Sequence, residues 1–64
     1  MNLPKLVFSI PETAAAAGAG RTTVYRAIQN GELVARKRGR RTVVLADDLK
    51  RWLDNLPAIN RIAS

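Results

Sequence analysis

The stretch Gly20-Arg21-Thr22-Thr23-Val24-Tyr25-Arg26-Ala27-Ile28-Gln29-Asn30-Gly31 decides how this chain folds. No Gly or Pro interrupts Arg21 to Gln29, and Val24, Ala27 and Ile28 recur at helical spacing, so the stretch predicts a helix stopped by Asn30-Gly31. At about 100° per residue those three apolar side chains share one side, while Thr22, Tyr25, Arg26 and Gln29 share the other. That polar side carries no acid. A helix face that only meets solvent more often mixes Glu with Lys in i,i+4 pairs. Here the residue types are those that bond phosphates and base edges: Arg to guanine, Gln to adenine, Thr to bases or backbone, Tyr to phosphate.

Upstream, Ser9-Ile10-Pro11-Glu12 offers a capping Ser, a Pro tolerated in the first turn and a Glu three residues after the Ser. A helix starts there, runs through Thr13 and four alanines to Ala17, and stops at Gly18-Ala19-Gly20. Two short helices are thus joined by a three-residue turn. Downstream, Leu33 to Lys37 and Thr42 to Leu45 predict two short strands around the tip Arg38-Gly39-Arg40-Arg41. Asp47-Asp48 then supplies acids to the first turn of a third helix, whose Leu49, Trp52, Leu53 and Leu56 fall at i, i+3, i+4 and i+7 before Pro57 ends it. The expected core is Trp52, Leu49, Leu53 and Leu56 with Ile10, Ala14, Ala17, Val24, Ile28, Leu33 and Val44. The two aspartates are expected to act as cap and dipole residues.

The charge is concentrated. Lys and Arg number 11 against 5 acids, for a net +6, and five of those cations (Arg36, Lys37, Arg38, Arg40, Arg41) fall within residues 36–41 around Gly39. The other 58 residues carry only +1. A protective strand edge needs one or two charges and mixes signs, whereas this run suits a polyanion. Gly39 permits a tight turn that can approach a phosphate backbone, and arginine suits phosphate and minor-groove contact better than lysine.

Other chemistries are excluded or disfavoured by composition. With 64 residues, no Cys and no His, the chain offers no disulfide, thiolate nucleophile, typical zinc site or Ser-His dyad. Its acids are scattered except for Asp47-Asp48, and sequence neighbours do not converge on one point. We therefore expect no enzyme and no cofactor. No apolar run approaches the ~20 residues that cross a bilayer, and no signal peptide is expected.

The order helix, turn, helix, hairpin, helix is mainly α with a small β-hairpin, a winged helix-turn-helix whose last helix supports the rest. In detail, Ser9 to Leu53 resembles the excisionase-type, MerR-like winged helix-turn-helix DNA-binding family over 45 of 64 residues. The resemblance rests on Ser9-Ile10-Pro11-Glu12-Thr13-Ala14, Gly18 through Ile28, Asn30-Gly31-Glu32-Leu33, Gly39-Arg40-Arg41, Asp48-Leu49 and Trp52-Leu53. It implies that the second helix enters the major groove, the wing follows the backbone or enters the next minor groove, and the last helix braces both. Arg21, Thr22, Thr23, Tyr25 and Arg26 match the recognition-helix positions, and Gly39, Arg40 and Arg41 match the wing. The chain departs from the pattern at Ala16, Ala17 and Ala19, where large aliphatics are usual, and at Arg38, where an apolar residue is frequent.

From this we expect an N-terminal extension over 1–8, the DNA-binding domain over 9–56 and a tail over 57–64. The candidate site is Arg21, Thr22, Thr23, Tyr25, Arg26 and Gln29 on the helix with Arg36, Lys37, Arg38, Gly39, Arg40 and Arg41 on the wing. The resemblance to small stand-alone members implies a phage excisionase that binds and bends attachment-site DNA in a bacterial host's cytoplasm. Its expected partners are duplex DNA, a phage integrase and further copies along the DNA. No ligand-sensing domain or long dimerisation helix is expected, so no small-molecule effector. The alternatives are a small transcriptional regulator, an RNA-binding module, poorly supplied with aromatics for stacking, and an adaptor whose tail docks through Leu56, Ile59 and Ile62.

Overall fold

The computed structural model describes residues 5–59. The elements run β1 (Val7–Ser9), α1 (Ile10–Ala17), α2 (Arg21–Gln29), β2 (Arg36–Arg38), β3 (Arg41–Leu45) and α3 (Ala46–Asp54). Three strands form one antiparallel sheet in the order β1-β3-β2. This is the three-helix, winged arrangement expected from the sequence.

The capping box closes α1 as its spacing predicts. Ser9 Oγ accepts the Glu12 N–H at 3.2 Å, and Glu12 Oε1 accepts the Ser9 N–H at 2.8 Å. The buried Thr13 hydroxyl is satisfied by donating to the Ser9 carbonyl at 2.8 Å. At the other end Gly18 adopts φ +67, so that its N–H reaches the Ala15 carbonyl and the Ala19 N–H reaches the Ala14 carbonyl. That Schellman closure turns the chain sharply into α2, which spans the residues predicted for it.

The second Glu12 oxygen accepts from Lys5 Nζ at 2.8 Å. With the Ser9 N–H, this ammonium lowers the Glu12 carboxyl from the ordinary 4.5 to about 2. A depressed carboxyl contributes stability that is present above pH 4.5 and lost as pH falls through about 2. Thermal melts should therefore decline across that window in the native chain and much less in Glu12→Gln. An equal decline in the variant would assign the acid sensitivity to other carboxylates.

Three sequence expectations need correction. First, Val7 and Phe8, expected in an N-terminal extension, lie in β1, which pairs with β3 in the register Val7 to Leu45, Phe8 to Val44 and Ser9 to Val43. The ladder continues with the Ala46 N–H donating to the Leu6 carbonyl at 2.9 Å. Second, Leu33 to Ala35 is not strand. Gly31, at φ +77, folds the chain back so that the Glu32 and Leu33 N–H groups both donate to the Ala27 carbonyl. Leu33 thereby enters the core as a loop residue, and β2 begins only at Arg36. Third, α3 stops at Asp54 and not at Pro57. A residue preceding proline is disfavoured in the α region, and Leu56 sits 48% exposed beyond the helix, outside the core assigned to it.

The core itself comprises Ile10, Ala14, Val24, Ala27, Leu33, Val44, Leu49 and Trp52, with Phe8, Ala17, Ile28, Ala35 and Leu53 packed against it. Phe8 and Val44, paired across the sheet, mark the inner face. Successive strand residues alternate faces, so Val7, Ser9, Val43, Arg38 and Arg41 belong to the outer one. Among the described residues no helix is long and apolar enough to cross a membrane.

Candidate nucleic-acid interface

The α2 residues divide as the periodicity requires. Val24 and Ala27 are buried and Ile28 is half-buried, whereas Arg21, Thr22, Thr23, Tyr25, Arg26 and Gln29 are exposed. The helix starts on Gly20, which gives no side-chain cap, and has no acid in its first turn.

The wing is tighter than its sequence suggested. Arg38 pairs with Arg41 across the strands, leaving Gly39 and Arg40 as a two-residue loop. Gly39 takes φ +63 and Arg40 does not take a positive φ, the pattern of a type II′ turn, where any side chain at the first position is strained. Gly39 thus shapes the wing and has no side chain to contact a ligand. Arg38 facing Arg41 is a like-charge pair, which destabilises an isolated hairpin.

Electrostatically the two halves of the expected site behave alike. Ion pairs among the described residues are Lys5 with Glu12, Arg36 with Asp48 and Lys50 with Asp54. Arg21, Arg26, Lys37, Arg38, Arg40 and Arg41 pair with no acid among those residues. Arg36 differs from the rest of its run, because its Nε donates to Asp48 Oδ2 at 3.2 Å. Asp48, expected as a cap and dipole residue, is buried, and α3 starts on Leu45 with no side-chain cap hydrogen bond.

An open concavity of about 1000 Å³ joins helix and wing. Tyr25 of α2 borders it together with Arg38, Arg40 and Arg41, while Ser9 and Glu12 form the α1 side. Arg21, Thr22, Thr23, Arg26, Gln29, Arg36 and Lys37 lie outside its lining. The α1 side was not foreseen, since it needs β1 to bring Val7 and Ser9 beside Val43. Glu12 is an acid among arginines, yet both its oxygens are occupied by Ser9 and Lys5.

A family model described as a helix-turn-helix domain matches residues 7–57, most of the chain. The chain belongs to this helix-turn-helix family. It is a DNA-binding family that includes excisionase-like proteins. The match begins at the first residue of β1 and so takes in the strand beyond the expected boundary at residue 9. No significant match was found among curated proteins or solved structures. In a helix-turn-helix domain the second helix is the one that docks in the major groove, and here it is α2.

Proposed function

We propose that this helix-turn-helix protein is an excisionase: a noncatalytic factor that binds and bends duplex DNA at specific sites and directs a phage integrase toward excision. The observation that carries the DNA-binding part is the cluster Arg38, Arg40 and Arg41 at the wing tip, none with an acid partner among the described residues, set beside an acid-free helix face. The like-charge pair Arg38 and Arg41 is unfavourable alone and is relieved when phosphates lie between the two side chains. Arg26 and Gln29 are assigned to base edges, Arg38, Arg40 and Arg41 to the backbone, and Tyr25 to the phosphate between them. Excision and repression alike require only binding and bending, so a small transcriptional regulator is the second reading.

The test starts with a bound site selected from random duplexes, followed by anisotropy on that site, on a scrambled duplex and on matched single-stranded RNA. We expect the selected site to bind tightest. Arg26→Ala should remove about 1–3 kcal/mol of its preference over the scrambled duplex. Equal binding to RNA would withdraw the proposal, and equal loss on both duplexes would move Arg26 to the backbone. A gel-mobility bend and a shift of integrase products toward excision favour the excisionase. Promoter occupancy with unaltered recombination favours the regulator.

A further inference from the structure

β2 is an edge strand of three residues, all exposed, whose backbone pairs only with β3. Among the described residues, the hydrogen bond from Arg36 Nε to Asp48 Oδ2 is the only side-chain bond that ties β2 to the helices. The two partners are unequal: the Asp48 side chain is 6% exposed and that of Arg36 55%. A buried carboxylate is unfavourable unless it is paired. The helix dipole does not require this one, because Asp47 already supplies an exposed acid to the same first turn. An arginine held by Nε also keeps four of its five N–H donors on the other edges of the fork.

We propose that Asp48 is a positioning residue for DNA binding. By fixing the Nε edge of Arg36 it sets the angle at which the body carries the wing and turns the remaining guanidinium donors toward phosphate. This rests on the DNA-binding reading of the wing, and it removes Arg36 from the group of cations that act independently.

The direction of the effect separates positioning from charge. Asp48→Asn removes a negative charge beside the wing, so electrostatics alone predicts tighter binding. Positioning predicts weaker binding, about tenfold in Kd, with a log-log salt slope shallower by about 1 because one phosphate contact is lost. Arg36→Lys keeps the charge and the fold but lacks the planar fork, and it should weaken binding by a similar factor. The double variant should be no weaker than the worse single one, as expected of two residues acting through one bond. Anisotropy on one duplex, with thermal melts alongside, provides all of these readings. A folded Asp48→Asn that binds as tightly as the native chain or tighter, at an unchanged slope, overturns the proposal. Should that variant not fold, parity of Arg36→Lys with the native chain overturns it equally. If the native chain itself has no duplex affinity, the DNA-binding reading falls and this inference with it; parity among variants of a binding protein defeats the inference alone.

Discussion

Trp52→Ala is expected to unfold the chain, and Trp52→Phe is expected to leave it folded. Trp52 is 5% exposed and is the largest side chain of the core, in which two of the eight buried apolar residues are alanines. Truncating a buried aromatic to Ala removes about 3–5 kcal/mol. At about 0.05–0.15 kcal/mol per residue, a domain of this length has roughly 3–10 kcal/mol in total. Most of the stability therefore depends on one indole. Its Nε1 is buried and meets no acceptor among the described residues. An unpaired buried donor costs about 1–3 kcal/mol, so Phe forfeits some volume but removes that penalty. In urea monitored by circular dichroism, Trp52→Phe should keep a cooperative transition while Trp52→Ala shows none at the temperature where the native chain is folded. A cooperative transition in Trp52→Ala would place the centre of the core elsewhere.

Local chemistry accounts for what the sequence made legible. The ends of α2 could be read because Gly20 and Asn30-Gly31 act on their immediate neighbours, and α1 because Ser9 and Glu12 are three residues apart. β1 could not be read in this way. Three residues are too few to establish a period of two, and their partner strand lies more than thirty residues away. Leu33 has a strand-forming side chain, but Gly31 commits the following N–H groups to Ala27. The role of Asp48 is partly legible from its position. It stands four residues before Trp52 and one before Leu49, inside the apolar stripe of α3, where a free solvent-facing cap is out of place. The pairing with Arg36 is hidden in sequence because that arginine opens a basic run of like residues, and only the bond to Asp48, twelve residues on, sets it apart from them.

Raising salt from 50 to 200 mM should weaken duplex binding about 500-fold, a log-log slope of roughly −4 to −5. Each phosphate neutralised on B-DNA contributes about −0.9 to that slope. Arg21, Lys37, Arg38, Arg40 and Arg41 of α2 and the wing pair with no acid among the described residues, and with Arg36 held by Asp48 they put five or six phosphate contacts within reach. Lys5 and Lys50 already have carboxylate partners and add little. Arg40→Ala and Arg41→Ala should each flatten the slope by about 1 and weaken every duplex alike, because backbone contacts carry no base information. The difference between the two variants is also informative. Arg41 faces Arg38 across the strands, so its removal relieves a like-charge pair in the free protein and part of the lost affinity returns as hairpin stability. Arg40 stands in the loop with no such partner, and its loss should change affinity without changing the melting temperature. A flat salt response in the native chain would disprove the electrostatic account of the wing, since five or six cations meeting phosphates cannot bind without displacing counterions.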